Sequence, residues 1–131
     1  MKKFLLSILC CMLAMFSTKA EETANLSFAN KAQRTSFSST EQVWEQNGIK
    51  FTNSKSASTT NVADYANPVR LYASSKIVVE CTIGNITKIV FDCNSSSYAN
   101  ALKNSIGDNA TVSSDKVTIA TDGSSNTFTI A

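Results

Sequence analysis

Apolar residues recur at every second position in short runs along much of this chain. Ile49 and Phe51 flank Lys50, and Val69 and Leu71 flank Arg70. Ile77, Val79 and Cys81 alternate with Val78 and Glu80, and Ile89, Phe91 and Cys93 with Val90 and Asp92. Val117 and Ile119 flank Thr118; Phe128 and Ile130 flank Thr129. A period of two is the signature of a strand with one face toward a core. Turn residues at Gly84-Asn85, Ser113-Ser114-Asp115 and Asp122-Gly123-Ser124-Ser125 separate the runs. That spacing predicts an all-β, antiparallel β-sandwich, jelly-roll-like in outline. Pro68 follows Asn67 in a loop that should start a strand near Val69.

Two segments break the alternation. In 94–107, Tyr98, Leu102 and Ile106 recur every fourth residue, with a polar cap before them and Gly107 after. This predicts one short helix near 97–106, with Tyr98 on its buried face. Residues 53–64 are polar without a period and read as a long surface loop, where a rigid β scaffold commonly carries its binding groups.

The N-terminus has a different pattern. Lys2 and Lys3 precede an apolar run from Phe4 to Phe16, and Thr18-Lys19-Ala20 resembles a small-x-small cleavage site. The run is shorter than the ~20 apolar residues of a membrane span. Residues 1–20 therefore read as a signal peptide of bacterial type, and residues 21–131 as one module. The expected location is exported: periplasmic, cell-surface or extracellular, with no membrane association after cleavage. Leu9 before Cys10 departs from the small residue that precedes an acylated cysteine, so lipidation is disfavoured.

Composition then narrows the function. Of the 12 basic residues, Lys2, Lys3 and Lys19 lie in the leader; against 10 acidic residues the remainder carries a net charge of −1. Such a chain lacks the basic footprint of a nucleic-acid binder. It has no histidine, which removes His-based acid–base chemistry, Ser-His-Asp triads and nearly all zinc sites. Asp108, Asp115 and Asp122 fall at turns, and Glu80 and Asp92 alternate outward on strands, so no carboxylate pair stands out. No dense acidic loop points to calcium. The expectation is a protein that is not an enzyme and needs no cofactor or metal.

Cys81 and Cys93 remain after the leader is removed. If Gly84-Asn85 turns a hairpin between 76–81 and 88–93, they lie roughly 17 Å apart along the ladder. A disulfide needs Cα atoms within about 7 Å, so two free, buried thiols are expected.

Aromatic residues give the one binding signal, because sugar rings stack on Tyr and Trp faces while amides and carboxylates take the hydroxyls. Tyr65 is the best placed, in a loop beside Asp64 and Asn67; Tyr72 follows in the next segment. Packing rather than ligand contact is favoured for Trp44, Tyr72 and Tyr98. The candidate ligand-binding set is Asp64, Tyr65, Asn67 and Tyr72.

The blocks FTNSK, ADYANPVR, KIVFDCNSSSYA and SNTFTIA together resemble a recurrent β-sandwich accessory module of secreted multidomain gut-bacterial proteins. In that family the module often lies C-terminal to extracellular nucleases and surface proteins. The resemblance runs from about Leu26 to the end and implies no catalytic motif. The family usually continues with further strands after the last block, which implies a truncated module with an open strand edge at 126–130. Two functions follow as expectations. One is a non-catalytic accessory module binding carbohydrate or cell-surface polymer. The alternative is a structural or protein-interaction domain that pairs its open edge with a secreted partner.

Overall fold

In a computed structural model, the described residues are 7–9, 22–64 and 69–131. They form two five-stranded antiparallel sheets and one short helix. The strands are β1 (Ser7–Leu9), β2 (Asn25–Ser27), β3 (Arg34–Phe37), β4 (Glu41–Gln46), β5 (Ile49–Ser54), β6 (Lys76–Cys81), β7 (Lys88–Asp92), β8 (Ala110–Ser113), β9 (Lys116–Ala120) and β10 (Thr127–Ile130). One sheet has the order β2-β1-β7-β9-β8 and the other β10-β6-β5-β4-β3. The all-β expectation holds at this level. Apart from the backbone of β1, residues 1–20, expected as a leader, lie outside the described residues, as do Tyr65, Asn67 and Pro68.

The alternating runs form the core. Phe51, Val79, Phe91, Val117 and Ile119 are buried, and both sheets contribute to one cluster. Phe28 stands between Trp44 and Phe51, with ring centroids 5.1 and 4.9 Å away and edge-on geometry. Such aromatic contacts add to the stabilisation that burial supplies. Trp44 is fully buried, as its expected packing role implied, though it lies within β4 rather than before a strand, and its Nε1 donates to Gln42 Oε1 at 3.0 Å. Val69 is buried but starts no strand; 69–75 is a loop.

The expected hairpin at Gly84-Asn85 is absent. β6 pairs with β5 and β10, whereas β7 pairs with β1 and β9 in the other sheet. Residues 82–87 cross between the sheets, tied by Ile86 N to Ser125 O and Cys81 N to Asn126 O, each at 2.8 Å. Two features explain the difference. Gly84 does not take the positive φ that a primed two-residue turn requires. Ile86 is buried at the crossing, which a solvated turn would have left in water.

The tight hairpin lies elsewhere: Asn47 (φ 53) and Gly48 (φ 84) join β4 and β5, the geometry for which Asn-Gly is the preferred pair. Ser114 (φ 58) turns β8 into β9, as expected from its loop composition. The cysteine expectation is corrected in half. Cys93 is free and buried, but Cys81 is disulfide-bonded. Asp92 is also corrected: its side chain is 1% exposed and ion-paired at 2.9 Å to Lys116, its cross-strand partner.

The helix α1 (Ser96–Ile106) begins where its cap was expected. Ser95 Oγ accepts from Tyr98 N, and Gly107 (φ 103) closes the C-terminus. It packs against β8 and β9, with Ala99 buried and Leu102 and Ile106 partly so. No helix among the described residues is long and apolar enough to cross a membrane.

Candidate binding cleft

The buried face of α1 is set by Ala99, Leu102 and Ile106, one helical stripe. Tyr98 lies on the flank of that stripe. It is 56% exposed, which corrects the expectation that it packs inward. Beside it opens a cleft of about 450 Å³, bounded by α1, the 70–75 loop and the ends of β6 and β10. Leu71, Leu102, Ile77 and Ile130 supply an apolar floor; Tyr72 and Tyr98 both line it. Asn94, Ser75 and Ser105 add amide and hydroxyl groups to the lining.

Local structure fixes both tyrosines. Tyr98 sits in the first turn of α1, with its backbone N–H held by the Ser95 cap at 3.2 Å. Tyr72 O accepts from both Ser75 N (3.1 Å) and Ser75 Oγ (2.7 Å), closing a tight turn through Ser74 at φ 66. Asn53, at the buried end of β5, donates from Nδ2 to Arg70 O at 3.4 Å and ties this loop to the sheet. Tyr72 is thus a half-buried loop residue rather than a strand residue.

The lining limits what the cleft can do. Among the described residues that line it there is no Asp, Glu or His side chain, and Arg70 is the one with a charged side chain. Cys93 also lines it, but burial, followed by the negative charges of Asp115 and Asp92, pushes its thiol up to about 12. A thiol held protonated at neutral pH is a poor nucleophile. Among the described residues no group of three or more metal-ligating side chains comes together.

The four expected binding residues do not share this place. Tyr72 lines the cleft. Tyr65 and Asn67 lie outside the described residues. Asp64 is engaged at the opposite edge of the sheet, where Oδ1 lies 2.7 Å from Arg34 Nη1 and 3.7 Å from Lys31 Nζ. The Arg34 hydrogen bond, with the charges of Arg34 and Lys31, holds the Asp64 carboxyl below its usual range. Arg34 itself stacks over Phe37 at 4.4 Å and reaches Trp44 at 5.9 Å. Asp64 thereby fastens the 55–64 loop to β3. That loop is less solvated than its composition suggested: Ser58 and Val62 are buried, and Val62 N donates to Ser39 O at 2.8 Å.

Tyr98 is the cleft residue that the sequence reading missed. The signal was present in the spacing of 99, 102 and 106, which leaves position 98 at the border of the buried stripe.

The chain matches no family model, no curated protein and no solved structure.

Proposed function

We propose that this chain is a non-catalytic binding module of an exported protein, folded as a jelly-roll-like β-sandwich, that takes a sugar unit of a glycan or cell-surface polymer. The observation that carries the reading is the pairing of Tyr72 and Tyr98 on one apolar cleft with amide and hydroxyl neighbours. Aromatic faces stack on the apolar faces of sugar rings, and the polar groups select among hydroxyls. The volume falls in the ~300–1,000 Å³ range of small-molecule sites. Among the described residues the lining has no Asp or Glu side chain, which supports binding over hydrolysis, since glycosidases use two of them. The resemblance to secreted accessory modules agrees with this context, and the leader pattern supports export. The binding centre moves from the 53–68 loop to the cleft, with Tyr72 retained and Tyr98 added.

A glycan array probed with the processed protein tests the reading, followed by Tyr72→Ala and Tyr98→Ala on any ligand found. Binding that weakens about fivefold in each variant is expected, since one lost stacking contact is worth about 1 kcal/mol. An array without a single binder, or binding indifferent to both substitutions, would sink it.

A second reading rests on β10. It pairs with β6 alone, and its other edge has no partner among the described residues. An open edge of this kind supports pairing with a strand of a secreted partner. Light scattering after size exclusion distinguishes the readings: the edge-pairing function expects a partner or self-association that Thr129→Pro abolishes.

A further inference from the structure

The sheet that contains β7 has as its second strand, between β2 and β7, one supplied by the segment that the sequence marks as a leader. β1 runs antiparallel to β2, with Ser7 opposite Ser27, Ile8 opposite Leu26 and Leu9 opposite Asn25. On its other side Ile8 lies opposite Phe91 and Leu9 opposite Val90. Position 8 therefore stands in a row between Leu26 and Phe91, both fully buried. Without β1, β2 and β7 would be left about 10 Å apart, two strand spacings, each presenting unpaired backbone groups to the other.

β2 is not free to close that gap. Ser27 N donates to Gln46 Oε1 at 2.8 Å, and Asn25 O accepts from Asn47 Nδ2 at 3.0 Å. Both bonds anchor β2 to the β4–β5 hairpin of the opposite sheet. Leu26 and the following Phe28 are locked in the core. Moving β2 across to β7 would break these bonds and pull Phe28 from between Trp44 and Phe51.

We propose that, in the processed protein, the place of β1 is an acceptor groove for an extended segment of another polypeptide, bound by strand addition between β2 and β7. This rests on the export reading, which removes residues 1–20. The occupant must have both backbone edges free, since it bonds on two sides. That excludes β10 of a second folded copy, one edge of which is taken by β6. It must be apolar at its central residue, between Leu26 and Phe91, and it needs at least three residues in extended form. An unstructured terminal or linker segment of a secreted partner has these properties, and main-chain bonds would give it affinity.

The leader itself is the template for a probe. The full chain is prepared with Cys10→Ser and Cys11→Ser, so that the leader carries no thiol, and with a protease site replacing residues 17–20. It is folded, cut, and freed of the released segment by gel filtration in mild denaturant. A fluorescent peptide with the sequence of residues 4–12, carrying the same two serines, is added and its anisotropy followed. Saturable uptake is expected, with affinity about tenfold or more weaker for the peptide bearing Ile8→Pro, which lacks a ladder donor. Absence of uptake by a cut protein that keeps its melting temperature overturns the proposal, because the gap has then closed. If the cut protein unfolds, recovery of the native fold on refolding with the peptide supports the groove, and failure to recover overturns it. The mass of the exported protein separates the two readings. A product retaining residues 1–20 defeats the leader's removal, on which the groove rests, whereas correct cleavage without peptide uptake defeats the groove alone.

Discussion

Tyr98 and Trp44 are both aromatic, yet their substitution should give opposite results. Tyr98 is mostly exposed and held by a helix cap, so Tyr98→Ala should leave stability within about 0.5 kcal/mol while reducing ligand retention. Trp44 fills the centre of the core and hydrogen-bonds to Gln42, so Trp44→Ala should cost about 3–5 kcal/mol, read as a large drop in the denaturation midpoint. Cys93 gives a pH-dependent prediction. Its thiol titrates near 12 when folded, against 9.0 ordinarily, so the folded state keeps a proton that the unfolded chain gives up. Stability is then complete below pH 9 and falls as pH rises from 9 toward 12. Lys116, raised above its ordinary 10.5 chiefly by its hydrogen bond to Asp92, adds to the fall once pH passes 10.5. Thermal melts should fall above pH 9, and Cys93→Ala should flatten the first part of that fall.

At the scale of elements, the local signals were the ones a sequence could show. The α1 cap and its Gly107 terminus were legible because capping is a short-range contest between one side chain and the backbone. Ser95→Ala should lower stability by about 1 kcal/mol, checked by chemical denaturation. The alternation of β6 and β7 was equally plain, but their pairing was not. Two apolar strands joined by six residues can lie side by side or face each other across a core, and alternation is the same in both cases. The burial of Ile86 and the backbone of Gly84 decide it, and neither is a composition signal. Asn47-Gly48 was the stronger hairpin signal. Gly48→Ala should destabilise by about 1 kcal/mol or more, because φ is 84 and a Cβ there would meet Ile83 Cγ2 at 3.1 Å. A melt of that variant equal to the parent would contradict the turn.

For the molecule as a whole, the candidate site was half legible. Tyr72 was singled out for its chemistry, but its company was not foreseeable, since the cleft joins a loop, a helix and two strands far apart in sequence. Asp64 looked like a ligand group because a carboxylate stood beside an aromatic residue. Its partner, Arg34, lies thirty positions away on an edge strand, and only the fold brings them together.

The crossing at 82–87 also bears on how fast the chain reaches this structure. By sending β6 and β7 to different sheets, it removes a contact that could have formed early. Both strands must find partners across long loops instead: Lys76 with Ser54, Ile77 with Ile130, Asp92 with Lys116. Loop closure on that scale precedes any gain from pairing, so folding belongs with the slow, non-local class, in milliseconds to seconds. Trp44, the single tryptophan and fully buried, is a built-in fluorescence probe of that step. A stopped-flow refolding phase faster than about a millisecond would contradict it. During that interval the alternating strands, with their apolar faces not yet covered, are open to any other chain that reaches them first.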